Sequence, residues 1–220
     1  MIKRLIFDVD GTLIRGVNFS HSIEETLEKF NINSEENIQS FIKGIATYEQ
    51  IHNNYNVNDY TKHMGIMLKT QLPQSFVPTF FESLKTCIPA DNSAIQQTIH
   101  NLSEKYELVL LTNYFAESQM NRLNNMGIGR YFKECYGEEL IKPNTQAYLN
   151  ACGKYKPYEC IMIGDDQNLD ILRAKQVGLN TIFINTKGID LNAKLGVVVN
   201  CVEDITEKTI SKADKYDLER

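Results

Sequence analysis

The sequence predicts an α/β protein built on a doubly wound parallel sheet, with an all-helical insert near its start. Three observations predict it. Short, continuous apolar runs recur at residues 4–9 (RLIFDV), 107–113 (ELVLLTN), 159–166 (ECIMIGDD) and 180–185 (NTIFIN), and such runs read as buried strands. From about residue 89 onward helical patterns separate them, and strand–helix–strand alternation implies parallel pairing through right-handed crossovers. Between the first two runs, by contrast, four helical stripes follow one another with no strand, which suggests a small bundle of its own.

Taken in order, the first run ends on Asp8 and Asp10, and Asp10-Gly11 signals a turn. Ile23, Leu27 and Phe30 then keep a helical spacing. Ile38, Phe41, Ile42 and Ile45 do the same after Ser34, an expected N-cap. Tyr60, Met64, Met67 and Leu68 form a third stripe. Phe76, Val77, Phe80, Phe81, Leu84 and Ile88 form a fourth, with Pro78 tolerable in its first turn. After Pro89 a helix carrying Ile95, Ile99 and Leu102 leads to the second strand, and the next helix closes at Gly127, the residue type expected at a C-cap. KECYG (133–137) reads as a short strand. A helix over roughly 144–152 precedes the third clear strand, and another ending near Gly178 precedes NTIFIN. VVVN (197–200) reads as the last strand, and the polar tail beyond about 206 as a surface helix. The expected division is a discontinuous α/β domain of residues 1–15 and 90–220, and a helical domain of 16–89.

Composition narrows the function class. A chain of 220 residues can hold one full core, or a core and a smaller domain. Its net charge of −5 argues against nucleic acid or an anionic membrane as the main partner, because both reward a basic face. No apolar stretch has the length needed to cross a bilayer, and the first run is too short for a signal peptide. The five cysteines are odd in number and form no CxxC pair, so reduced thiols and a cytoplasmic location are expected. Cys160 reads as a small core residue at a strand start.

Ligands of open α/β sheets bind beyond the carboxyl ends of the strands. There this sequence places Asp8 and Asp10, then Thr112 and Asn113, then Asp165 and Asp166, with Asp170 about one turn on and Lys142 in a loop before a helix. Singly, each has a plain explanation: a hairpin turn at Asp10-Gly11, acids at a helix N-terminus, a β-branched strand residue, a solvated lysine. Their joint appearance at the strand ends points instead to a site.

These residues carry a resemblance. DVDGT resembles the first motif (DxDxT) of the haloacid dehalogenase-like (HAD) hydrolase superfamily, LLTN its second, Lys142-Pro143 its third, and GDDQNLD its acidic fourth motif. The four occur in order over essentially the whole chain. The third departs slightly, with IKPN where KPD is commoner. The resemblance implies a Rossmann-like core and makes the helical insert a C1-type cap. It also implies a phosphatase acting on a small phosphorylated metabolite such as a sugar phosphate or a nucleotide.

The chemistry follows from the residue types. Phosphate monoesters hydrolyse extremely slowly, and a carboxylate such as Asp8 can split the reaction into two steps through an aspartyl-phosphate. A divalent cation relieves the repulsion between carboxylate and phosphate, and Mg²⁺ suits a site of few carboxylates; Asp8 and Asp165 are the expected side-chain ligands, and the family adds the backbone carbonyl of Asp10. Residues i and i+2 of a strand point the same way, so Asp10 stands beside Asp8 if the extended geometry persists. It would then protonate the leaving oxygen and deprotonate the attacking water. Thr112 and Asn113 would donate to phosphoryl oxygens, and Lys142 would supply positive charge to Asp8 and the phosphate. Asp170 would orient the lysine or a metal-bound water, and Asp166 receives no role beyond a solvated or helix-end one.

Other readings stay open at this point. A receiver-type module also sets acids, a Thr and a Lys on a parallel sheet, but the second aspartate, the insert and the length speak against it. A non-catalytic phosphate-binding module would not need every catalytic residue. Asp10 argues against a haloacid dehalogenase, whereas a phosphomutase would keep all four motifs. Arg15, His21, Tyr114 and the stretch 52–58 are candidate substrate contacts, with ordinary surface or hinge roles as the simpler reading for Arg15, His21 and His52. The oligomeric state is left open.

Overall fold

The first apolar run forms β1, Arg4–Phe7, which pairs in parallel with β2 (Glu107–Leu111) on one side and β4 (Cys160–Gly164) on the other. The sheet continues outward to β3 (Phe132–Tyr136), β5 (Asn180–Ile184) and β6 (Val197–Val199), in the order β3-β2-β1-β4-β5-β6, parallel throughout. This computed structural model describes residues 1–186, 188 and 196–216.

Strand periodicity sorts the side chains onto two faces. Leu5, Phe7, Leu108, Leu110, Ile161 and Ile163 pack with Ile95, Ile99 and Leu102 of α5 (Ser93–Ser103) and Leu123 of α6 (Ala116–Asn125). Ile210 and Ala213 of α9 (Glu207–Tyr216) join the same cluster, so the polar tail helix docks an apolar stripe on the sheet, while residues 217–220 of that tail lie outside the described ones. Ile6, Val109, Leu111 and Met162 point the other way, onto Ala147, Tyr148 and Ala151 of α7 (Thr145–Cys152) and onto Ala174 of α8 (Arg173–Val177). The sheet is therefore doubly wound, and β1 and β4 meet where the winding reverses. That is the switch point at which ligands of such sheets bind.

The insert comprises α1 (Ser20–Lys29), α2 (Glu35–Ile51), α3 (Val57–Met67) and α4 (Phe76–Leu84). Ser34 caps α2, its side chain accepting from Asn37 N at 3.2 Å. Phe41, Phe76 and Phe80 form the centre of an aromatic cluster, with Phe41 5.8 Å from Phe76 and 4.8 Å from Phe80 between ring centroids. Two members of the expected stripes fall elsewhere. Ile42 is exposed, and Ile88 lies past the end of α4 and packs against the sheet cluster.

The insert lies over the strand ends through contacts with the loops that carry the motifs. Phe115, two residues after Asn113, sits among Tyr55, Tyr60 and Phe81, with centroids 5.0, 5.4 and 4.9 Å away. Tyr55 N donates to Glu138 O at 2.6 Å and Ile141 N to Asn53 O at 3.0 Å, so the stretch 52–58 docks on the loop before Lys142. All five cysteines are free thiols; Cys160 is fully buried at the start of β4. Among the described residues no helix is long and apolar enough to cross a membrane.

Candidate active site

Asp8 follows directly on β1, and its N–H still donates to Ile163 O at 2.9 Å, which holds it against β4. The regular strand pairing stops there. β1 ends at Phe7, Asp10 makes an isolated bridge to Ile14, and Gly11 turns the chain at φ +87°. Asp8 and Asp10 acquire different partners. The glycine is required twice: only glycine adopts that φ readily, and a Cβ there would lie 2.5 Å from the Asp165 carboxylate.

Lys142 reaches Asp8 from the loop before α7. Its Nζ donates to Asp8 Oδ1 at 2.8 Å and to Asp170 Oδ1 at 2.6 Å, and all three side chains are buried. Two carboxylates share one ammonium. Burial pushes the Asp8 carboxyl up to about 7 against the pull of Lys142, with Asp170 pushing it further up. Burial also raises Asp170, again opposed by Lys142. For Lys142 burial works downward, but the Asp170 and Asp8 charges outweigh it and hold the ammonium above its usual range.

Asp170 stands in a π-helical turn, Gln167–Leu172, that runs into α8. Its second oxygen accepts from Asp166 N at 3.1 Å. Asp166 caps this turn, accepting from Asn168 N at 2.7 Å and Leu169 N at 2.8 Å, which is the helix-end role. Carboxylate oxygens of Asp8, Asp165 and Asp170 lie within 4.8 Å of one another. An oxygen-only donor set fits a hard divalent cation such as Mg²⁺ and offers no soft ligand for a thiophilic metal. Both Asp170 oxygens are engaged, one by Lys142 Nζ and the other by Asp166 N.

The Asp10 side chain turns toward α6. Arg122 Nη1 donates to its Oδ1 and Gln119 Nε2 to its Oδ2, each at 2.7 Å. Gln119 also donates to Thr112 Oγ1 at 3.1 Å, which leaves the threonine hydroxyl hydrogen to point elsewhere. Arg122 Nη1 donates to Gln119 Oε1 at 2.9 Å, while Nε and Nη2 donate to Cys87 O at 3.2 and 3.0 Å. The guanidinium also stacks 5.2 Å from the centroid of Phe19. One buried arginine therefore touches Asp10 and both segments that join the insert to the sheet.

The Asn113 side chain ties three segments together. Its amide donates to Lys142 O at 2.9 Å and accepts from Lys142 N at 2.8 Å, stitching the second motif to the third. Its Nδ2 also donates at 3.0 Å to Oε2 of Glu49, from α2 of the insert. The Asn113 side chain thus fixes the loop of the lysine. The other Glu49 oxygen accepts from Tyr55 OH at 2.7 Å. Asp10, Asn113, Arg122, Glu49 and Tyr55 border a cavity of about 220 Å³ whose remaining wall includes Phe19, Ile45, Phe80 and Leu84. Tyr114 borders it as well, whereas Arg15 is held by Glu203 at 2.6 and 2.7 Å and His21 is exposed.

Gln119, Arg122 and Glu49 were not found from sequence. The available signal was weak: polar residues three apart, Gln119 and Arg122, on the same helical face as Leu123, both fully buried in the fold. For Glu49, nothing in α2 marks it off from an ordinary exposed acid.

Comparison with known proteins agrees with this geometry. The model of the haloacid dehalogenase-like hydrolases matches residues 2–178. A glyceraldehyde 3-phosphate phosphatase of Methanothermobacter thermautotrophicus is 22% identical, the alignment covering 94% of this chain and 98% of that protein. Among solved structures, magnesium-bound YfnB of Bacillus subtilis, named as a HAD-hydrolase, superposes with a TM-score of 0.68 at 18% identity over 92% of this chain and 96% of that one. A HAD phosphatase of Thermococcus onnurineus gives 0.65 at 19% identity over 91% and 94%. With a family model spanning most of the chain and a doubly wound sheet whose switch point gathers the four motifs, the chain belongs to the haloacid dehalogenase-like hydrolases.

Proposed function

We propose that this protein hydrolyses small phosphate monoesters through an aspartyl-phosphate on Asp8. The observation that carries the reading is the buried cluster in which Lys142 bridges Asp8 and Asp170 beside Asp165. Asp8 directly follows β1 at the sheet switch point, and attack on phosphorus would form its oxygen–phosphorus bond as the ester oxygen leaves. Lys142 keeps Asp8 in place and offers positive charge to the transferring phosphoryl group. The Thr112 hydroxyl, oriented by Gln119, donates to a phosphoryl oxygen. Asp10 gives a proton to the leaving alcohol and then takes one from the water that releases phosphate, with Arg122 and Gln119 holding both of its oxygens. Asp170 orients Lys142.

Asp8, Asp165 and the backbone carbonyl of Asp10 would hold Mg²⁺. Once bound, the ion neutralises the repulsion between carboxylate and phosphate and polarises the phosphoryl group. YfnB with its magnesium supports the choice of ion, and the relatives named as glyceraldehyde 3-phosphate phosphatases support a small substrate. The helical insert acts as the cap over the site, residues 16–89 on a core of 1–15 and 90–220, and excludes water when a substrate is enclosed. A cytoplasmic location fits the free thiols.

The test is turnover of p-nitrophenyl phosphate with Mg²⁺, after chelation, and after Mg²⁺ is restored. Activity lost in chelator and regained with the ion is expected. Undiminished activity in excess chelator overturns the metal assignment, and no turnover on any phosphate ester overturns the reading.

A further inference from the structure

We propose that Glu49 makes the cavity beside Asp10 selective against a second negative charge, so that this enzyme takes phosphate monoesters whose alcohol part is uncharged or cationic. The inference rests on the phosphatase reading above and deepens it. If Asp10 passes a proton to the leaving oxygen, the alcohol part of the substrate must lie against Asp10, and the cavity of about 220 Å³ is the space that Asp10 borders.

The charges lining that space are Asp10, Glu49 and Arg122, one more negative than positive. Arg122, the cation on this wall, is already paired with Asp10, and four of its five N–H groups are engaged. Its Nη1 donates to both Asp10 and Gln119, and its Nε and Nη2 donate to Cys87 O. Lys142 is not on this wall, and its ammonium is held between Asp8 and Asp170. A carboxylate or second phosphate on the substrate would therefore meet Glu49 where the one lining cation, Arg122, is already paired with Asp10.

Glu49 cannot readily turn aside. Tyr55 OH holds one oxygen and Asn113 Nδ2 the other, so withdrawal breaks two hydrogen bonds. It also borders the neighbouring cavity of about 440 Å³ beside Lys142, so both spaces at the seam between insert and sheet carry its charge. The apolar remainder of the wall gives little screening, which strengthens repulsion between like charges. An uncharged polyol part meets no such penalty, since a hydroxyl can donate to a carboxylate oxygen.

A matched pair of substrates tests this: 2-hydroxyethyl phosphate and phosphoglycolate, alike in size and different in one carboxylate. With Mg²⁺ present, the wild type is expected to favour the neutral member in kcat/KM by about tenfold or more, which is about 1.4 kcal/mol. Glu49→Gln keeps the size and an acceptor for Asn113 but removes the charge. It is expected to narrow the ratio about fivefold or more through a gain on phosphoglycolate. Equal or better use of phosphoglycolate by the wild type overturns the proposal without any variant. So does a variant that slows both substrates alike, since that marks Glu49 as a structural latch. Calorimetric binding of ethylphosphonate and phosphonoacetate supplies a readout independent of turnover. Preference for ethylphosphonate in a protein that hydrolyses nothing would leave the charge selection standing and remove the phosphatase reading. Preference for phosphonoacetate in an active enzyme would do the reverse.

Discussion

Replacing Asp8 by asparagine is expected to make the folded protein more stable at neutral and alkaline pH while abolishing its chemistry. Asp8 and Asp170 are two buried carboxylates around one ammonium, an arrangement left one negative charge in excess when no cation is bound. Burial raises the Asp8 carboxyl from 3.8 to about 7. The folded chain therefore keeps a proton that the unfolded chain releases near 3.8. Stability from this group is fully present below about pH 4 and falls as pH rises toward 7, where the folded state must ionise it too. About three pH units at about 1.4 kcal/mol each sets an upper bound near 4 kcal/mol. Asparagine removes the charge and keeps an acceptor for Lys142, and imperfect hydrogen bonding of its amide returns part of the gain. The net expectation at pH 8 is a stabilisation of about 1–3 kcal/mol, or about 3–9 °C in Tm for a chain of this size. The assay is thermal unfolding of both proteins in chelator from pH 4 to 9. The difference should be near zero at the acid end, grow between pH 4 and 7, and stay level above. Added Mg²⁺ should then raise the Tm of the wild type more than that of Asp8→Asn, because ligand stabilises the form that binds it. An Asp8→Asn protein less stable than wild type at pH 8 in chelator, or a difference independent of pH, would refute this electrostatic account.

The remaining expectations concern the two sides of the site. Asp10→Asn should accumulate phosphorylated enzyme after brief exposure to an activated phosphate donor, since release of phosphate needs the base by about 10²–10⁴-fold, while Asp8→Asn should take no label. Rapid quenching followed by peptide mapping checks this, and label on any residue other than Asp8 contradicts the assignment. Arg122→Lys keeps a positive charge but loses the planar fork that reaches Asp10, Gln119 and Cys87 O together. It should lower kcat by about tenfold or more on an alkyl phosphate and much less on an aryl phosphate, whose leaving group needs little protonation; equal losses on both would show that Arg122 serves packing alone.

Much of this site could be read before any fold was known, because each motif is local. An apolar run that breaks on Asp8 and Asp10-Gly11 announces a buried strand, its end and its turn within ten residues, and ECIMIGDD does the same at Asp165. Parallel topology then brings these ends together, since Phe7 faces Leu110 on one side and Ile163 on the other. Helix periodicity likewise located α1 to α4 and their buried stripes. It failed at Ile42, which is exposed, and at Ile88, where the apolar spacing continues past the end of the helix and the residue packs on the sheet instead.

What sequence alone determined is therefore the sheet, the helical insert and the residues at the strand ends, because these follow from patterns spanning a few neighbouring residues. The tertiary structure decided the partners. Asp8 pairs with Lys142, 134 residues away, and Asp10 with Arg122, 112 residues away. Asn113 holds the Lys142 loop, and Glu49 joins the site because α2 is folded over the strand ends. Periodicity tells which face of a helix is buried. It does not say which charge a buried Gln119 or Arg122 will meet there, because that depends on contacts between segments that only the packed chain brings within hydrogen-bond distance.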